Sequence, residues 1–244
     1  MALGTRSWIE RTGGRLAWYE RLALLAQAVR ARAMARLQQP SMRRIRLPAV
    51  DDILPPDSAI TREAIELSRQ ICEPFLFNHC MRSYFWARLL DRDGRPFDDE
   101  ALFTALLLHD LGLGMDSRGQ CFTRVGAQKA IELAARHGWS ERRAHLTADA
   151  ITLHLNVLVA DRHGKEAQMV RAGSGADVAG LGLQSLQRER IGEVVARIPR
   201  LNMKERMIAR LQEEVQAQPE SRIAVLCNRL HFCAMIRGSK EFAE

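Results

Sequence analysis

Two histidines and two aspartates are the residues of this sequence best suited to metal chemistry. His109 and Asp110 stand side by side after a run of three leucines, His79 lies upstream, and Asp177 follows in an apolar, glycine-rich stretch. Ionisable side chains in apolar surroundings are costly unless they are paired or bind a metal. Imidazole nitrogens and carboxylate oxygens together suit zinc, iron and manganese. The pattern predicts one divalent transition metal, with zinc favoured and iron or manganese as alternatives.

Three further residues could act on a substrate. His154 lies near the end of another apolar segment. It could be an acid or base, a ligand of a second metal, a residue that hydrogen-bonds to a metal ligand, or a structural histidine. Arg82 follows His79 by three residues and so shares its helix face. It could orient a ligand through a nearby carboxylate or hold an anionic substrate. Asn78 could contact substrate or cap a helix. We expect Asn78, Arg82 and His154 to bind substrate, and His154 also to be catalytic.

The order of these residues, a histidine, then His-Asp, then a distant aspartate, resembles the HD superfamily. The sequences around residues 77–84, 108–112, 175–180 and 198–204 are similar to the cyanamide hydratase-like branch of that superfamily. The resemblance covers about residues 47–240. It implies an all-α HD-domain bundle in which His79, His109, Asp110 and Asp177 ligate one metal.

The resemblance also implies a metal that activates water, with Asp110 handling the water proton and His154 donating a proton to the substrate. The first hypothesis is a hydratase or hydrolase of a small nitrogen-containing molecule, such as cyanamide or a nitrile. The second is a phosphohydrolase of a phosphate ester or nucleotide, and the third is a non-catalytic binding module with a retained metal site. Phosphate binding usually needs several cationic donors. Few lie near the motifs, which favours the first hypothesis: Arg82, Arg92, Arg95 and Lys129.

Helices must position these side chains, because no segment alternates with a period of two and the composition favours helix. Pro74 is expected to end or kink a helix, and Gly173 and Gly175 are expected to break the chain before Asp177. The predicted helices cover about residues 16–37, 59–73, 76–90, 100–110, 123–137, 141–155, 164–173, 186–196, 202–216 and 219–237.

The positive charge of the chain is concentrated at its N-terminus. Residues 1–47 hold ten arginines and two glutamates, a net charge of +8, whereas the remainder holds 26 basic and 27 acidic residues. We therefore expect no specific nucleic-acid partner. The apolar stripe of the first predicted helix comprises Trp18, Leu22, Leu25, Ala26 and Val29. We expect this stripe to pack on the body with the arginines in solvent. Binding of the helix to a membrane surface or to an anion is an alternative.

The remaining expectations concern organisation and environment. A proline-rich stretch over residues 40–58 separates a basic N-terminal extension, residues 1–47, from an HD domain over residues 48–240. No apolar run reaches the ~20 residues needed to span a bilayer. The five cysteines form no Cys-x-x-Cys pair, which favours a reducing, cytoplasmic environment. The expected partner is a small-molecule substrate, and a homo-oligomer is left open.

Overall fold

The protein is an assembly of α-helices, as the sequence predicted. The structure, a computed structural model, describes residues 2–37, 48–115 and 119–242. Over these residues the chain forms twelve α-helices and no β-sheet. In chain order the helices are α1 Arg6–Thr12, α2 Trp18–Leu37, α3 Ala59–Ile71, α4 Pro74–Leu90, α5 Asp99–Leu108, α6 Thr123–Arg136, α7 Glu141–Leu153, α8 Lys165–Ala179, α9 Arg188–Arg197, α10 Met203–Ala217, α11 Arg222–Arg229 and α12 Phe232–Gly238.

The most extensive helix–helix contact among the described residues joins α4 to α8, and Gly173 allows the two backbones to approach closely. A Cβ atom added at Gly173 would lie 2.2 Å from the carbonyl oxygen of Ser83 on α4. The expected break at Gly173 and Gly175 is therefore wrong. The helix α8 runs through both glycines and ends before Gly180, whose φ is 71°. A glycine inside a helix costs about 0.5–1 kcal/mol, and burial of α8 against α4 offsets this loss. Asp177 consequently lies on the helix rather than in a loop.

Two other helix boundaries differ from the sequence prediction. Pro74 begins α4 instead of ending or kinking a helix, because the first turn of a helix does not need the amide hydrogen that proline lacks. The single helix predicted over residues 219–237 is two helices, α11 and α12. The chain between them passes through His231 with a φ of 56°, a left-handed conformation that interrupts the helical hydrogen bonding.

The N-terminal helices pack onto the same core as the rest of the chain. Trp8 of α1, a helix that the sequence did not predict, is fully buried, and so is Leu24 of α2. The indole nitrogen of Trp8 donates to Glu20 over 2.7 Å, which joins α1 to α2. The amide nitrogen of Leu16 donates to the carbonyl of Glu220 over 2.9 Å. These contacts fix the orientation of α2 on the body.

Most of the apolar stripe of α2 faces away from the body, contrary to expectation, although Leu25 packs against the core and Arg30 is exposed as expected. Trp18, Leu22 and Val29 are 72%, 57% and 68% exposed, whereas Leu24 and Ala28 face the body. The hydrogen bonds from Trp8 to Glu20 and from Leu16 to Glu220 set the rotation of α2 about its axis. The small side chain of Ala28 allows α2 to approach the body closely. An apolar stripe thus faces outward on α2. Among the described helices, none combines the length and apolar character needed to cross a membrane.

Candidate metal centre

Two adjacent helices bring the His-Asp pair and the upstream histidine together. His79 lies in the middle of α4, and His109 is the first residue after α5. Asp110 leaves helical geometry with a φ of −109°, so its side chain can converge with that of His109 instead of pointing about 100° away. The Nε2 atoms of His79 and His109 are 3.0 Å apart. Asp110 Oδ2 lies 3.3 Å from the first and 3.4 Å from the second.

The hydrogen bonds of the two rings leave their inner nitrogens available to a metal. His79 Nδ1 donates to a carboxylate oxygen of Asp177 over 2.8 Å, and His109 Nδ1 donates to the carbonyl of Leu106 over 2.8 Å. Both acceptors lack hydrogens, so each ring carries a proton on Nδ1, and each ring in its neutral form has a lone pair on Nε2. Burial opposes the charge of His79, but Asp110 and Asp177 outweigh it and raise its pKa, whereas burial lowers the pKa of His109. Two lone pairs and a carboxylate thus face one another at close range. Such an arrangement is unfavourable unless a cation, or a proton on His79 Nε2, lies among them.

A buried oxygen without a partner supports the same interpretation. Within the described residues, Asp110 Oδ1 has no hydrogen-bond partner although it is inaccessible to solvent. Burying an unsatisfied carboxylate oxygen is costly, and each such atom in a folded protein requires an explanation. His79, His109 and Asp110 offer ligand atoms within 4.8 Å of one another. The donor set and the unsatisfied oxygen fit a divalent transition metal.

Asp177 contacts His79 from the opposite side of the ring to His109 and Asp110, and its role as a metal ligand stays a prediction. Its Oδ2 accepts from His79 Nδ1 and from Arg82 Nη2 over 2.8 Å each. Its Oδ1 accepts from Arg82 Nε and from the Trp86 indole over 2.7 Å each. Both oxygens are therefore occupied by protein donors. A carboxylate in this position fixes the tautomer and direction of a ligand histidine.

The charges around the site settle which groups are ionised. Burial favours the neutral carboxyl of Asp177, but the charge of Arg82 and the hydrogen bond from His79 outweigh it and hold its pKa well below the usual value. Burial likewise opposes the charge of Asp110, and the neighbouring His109 and His79 lower its pKa instead. Asp110 and Asp177 are thus both carboxylates.

His154 completes the polar side of the site. It directly follows α7, and its Nδ1 donates to the carbonyl of Ile151 over 2.7 Å. Its Nε2 points inward and lies 3.4 Å from Asp110 Oδ1, the oxygen without a partner. Burial, together with the electrostatic interaction with the neighbouring His109, lowers the pKa of His154 to about 3. The ring is therefore neutral, with the lone pair of Nε2 facing Asp110.

The structure separates the two other expected substrate-binding residues from the cavity. Arg82 is fully buried and donates to Asp177 and to the carbonyls of Ile198 and Pro199. Asn78 donates to the same Pro199 carbonyl over 2.8 Å. Neither side chain lines the cavity described next. Of the two roles considered for Arg82, the structure places it against a carboxylate. Sequence reasoning missed Trp86, although it follows Arg82 by four residues on the same face of α4.

A cavity of about 620 Å³ opens onto the site. His79, His109, Asp110 and His154 form one part of its wall. Elsewhere the wall is mostly apolar and comes from α2, α8, α10, α11, α12 and the segment after α7. These lining residues include Ala28, Met34, Leu155, Val157, Val178, Met207, Leu211, Ile223, Leu226 and Phe232. The candidate metal centre therefore lies beside a partly open, largely apolar cavity.

Comparison with known proteins identifies the family. A profile of the HD domain matches residues 76–232, more than half of the 244-residue chain. The protein therefore belongs to the HD-domain family, whose members are generally metal-dependent hydrolases. The match is to the HD domain as a whole and does not single out the cyanamide hydratase-like branch. No curated protein matches the chain.

Proposed function

We propose that the protein is a metal-dependent hydrolase or hydratase that uses water activated at His79, His109 and Asp110. The observation that carries this proposal is the unpartnered, buried Oδ1 of Asp110 in a group of three ligand-type residues. When bound, a divalent metal is a Lewis acid that makes water a nucleophile near neutral pH. Zinc fits the nitrogen and oxygen donors best, and iron or manganese would also be accepted.

Proton transfer in this proposal is shared between Asp110 and His154. In this proposal Asp110 is the proton acceptor for the attacking water, since the residue borders the cavity and its Oδ1 has no hydrogen-bond partner among the described residues. His154 Nε2 lies 3.4 Å from that oxygen and also borders the cavity, so it can receive the proton and pass it to the leaving or newly formed group of the substrate. Its Nδ1–H bond to Ile151 keeps the ring in the tautomer that this transfer needs.

For the substrate, we favour a carbon–nitrogen group such as a nitrile or amide over a phosphate ester. Three of the four cations nearest the motifs in the sequence pair with carboxylates: Arg82 with Asp177, Arg95 with Asp93 and Lys129 with Glu132. The fourth, Arg92, is exposed to solvent. A phosphoryl group at the metal would therefore meet few cationic donors from these residues. The phosphohydrolase alternative keeps some support from two arginines of the cavity wall, Arg32 and Arg171.

The first experiment measures metal content and product formation together. Wild-type protein should hold about one transition metal per chain, as measured by elemental analysis, and His109→Ala should lose the metal and all activity. His145→Ala is the control, because His145 is partly exposed and pairs only with Glu141 among the described residues. Assays for urea from cyanamide, ammonia from nitriles and amides, and phosphate from a panel of esters identify the reaction. Full metal content in His109→Ala would contradict the assignment, and a metal-loaded protein without any product would favour the binding-module alternative.

A further inference from the structure

The cavity is too large for the smallest substrates considered above. Its volume of about 620 Å³ lies within the ~300–1,000 Å³ typical of sites that bind drug-sized ligands. A water molecule takes up about 30 Å³ of the liquid, and cyanamide is only slightly larger. Such a molecule would leave most of the apolar wall in contact with solvent. The shape of the site therefore indicates a substrate with an extended apolar body in addition to its reacting group.

One face of α8 supplies a cation to the cavity wall. Arg171, Ser174, Gly175 and Val178 line the cavity, with the spacing of neighbours on one side of a helix. In the described part of the chain, the hydrogen bond of the Arg171 side chain is a long one, 3.4 Å from Nε to the carbonyl of Asn156. Burial lowers the pKa of Arg171, and no neighbouring charge contributes to the shift. Its terminal guanidinium nitrogens therefore lack a protein acceptor within the described residues.

Arg171 is half-buried and has no anionic partner within the described residues. Arg222, which is fully buried, also lacks an anionic partner there, but it donates to the carbonyl of Thr152 and to Asn156 Oδ1 over 2.7 and 3.0 Å. Arg171 has no comparable set of short bonds, and the acidic residue of the described cavity wall is Asp110 at the metal centre. Removing a guanidinium from water is costly unless an anion or several acceptors replace the water. A ligand in the cavity is the natural source of that anion.

We infer that the substrate of this site is an anionic amphiphile. Its carboxylate or phosphate group binds Arg171, its apolar body fills the cavity, and its reacting group lies at His79, His109 and Asp110. The segment that joins these parts is short, because Asn156, which contacts Arg171, is two residues after His154. A guanidinium matches either anion with paired N–H donors. This inference names the substrate class for the proposed function and rests on it for the reacting end only.

The test measures ligand binding to metal-free protein, so that no anion is captured by a metal. We would titrate EDTA-treated, full-length protein with octanoate, octyl phosphate and octanol at fixed ionic strength by calorimetry. Octanoate or octyl phosphate should bind at least ten-fold more tightly than octanol, and the tighter of the two identifies the anion. Arg171→Met should remove this preference, Arg171→Lys should retain part of it, and Arg124→Met, an exposed control, should retain all of it. Thermal unfolding of each variant verifies that it is folded.

The outcomes separate this inference from the proposed function. Equal binding of octanol and the anions, or an unchanged preference in Arg171→Met, would overturn the inference whatever the metal content is. Selective anion binding that depends on Arg171, in a protein that takes up no metal and forms no product, would support the inference while contradicting the hydrolase proposal.

Discussion

Two arginines near the metal centre have opposite surroundings. Arg82, on α4, donates to both oxygens of Asp177 over 2.7 and 2.8 Å and also to two backbone carbonyls. Arg171, on α8, makes one long hydrogen bond to the carbonyl of Asn156. Proximity to the metal centre therefore does not by itself define the role of a charged residue. A cation whose guanidinium is bonded to a carboxylate and backbone carbonyls holds the structure in place, whereas one that lines a cavity without such acceptors is available to a ligand.

Replacement of Arg82 by methionine should have the largest effect on stability. The Arg82→Met variant leaves Asp177 buried without its principal cation, so the free energy of unfolding should fall by about 3–5 kcal/mol. Urea denaturation followed by circular dichroism measures this change. Arg92→Met is the matched control, since Arg92 is exposed and contacts only Ser185 among the described residues, and should change stability by less than about 0.5 kcal/mol.

A double variant tests whether Arg82 acts through its ion pair with Asp177. Combining Arg82→Met with Asp177→Asn removes both charges, so its loss of stability should be smaller than the sum of the two single losses. Strict additivity, or a single-variant effect no larger than that of the control, would show that the ion pair is not what holds α4 to α8.

Asp177→Asn should have the next largest effect, and on metal affinity. Asparagine keeps the size of the side chain but loses the charge that orients His79, and loss of such a partner weakens metal binding by about 10–100-fold. Titration with zinc against a competing chelator measures this change in folded protein. Loss of metal as complete as in His109→Ala would instead support the ligand role that the sequence suggested for Asp177. Wild-type affinity would remove Asp177 from the centre altogether.

The sequence predicted site residues well where a residue type has few possible roles in its surroundings. His79, His109 and Asp110 could be predicted as a group, because ionisable residues beside apolar runs need a joint explanation, and the structure brings them together. The position of Asp177 could not be predicted. It depends on α8 continuing through Gly173. A glycine in a sequence is compatible both with the end of a helix and with close packing of two helices. Only the proximity of Ser83 distinguishes the two cases.

Residues defined by their neighbours were also beyond sequence analysis. The apolar stripe of α2 predicted which residues share a face, but the bonds of Trp8 to Glu20 and of Leu16 to Glu220 decide that this face points outward. Arg171 carries no local signal, since its distinguishing property is the lack of a nearby acceptor among the described residues. Such a property follows from tertiary packing and cannot be read from spacing.

Arg171→Met should have the smallest effect on stability. The substitution removes no ion pair known from the described residues, and it replaces a desolvated cation by an apolar side chain in a largely apolar wall. The free energy of unfolding, measured in urea beside that of Arg82→Met, should therefore change by less than about 0.5 kcal/mol or rise. A loss comparable to that in Arg82→Met would mean that Arg171 is also a structural cation, and the contrast between the two arginines would disappear. A variant that unfolds like the wild type but no longer distinguishes octanoate from octanol would separate stability from ligand binding at this residue.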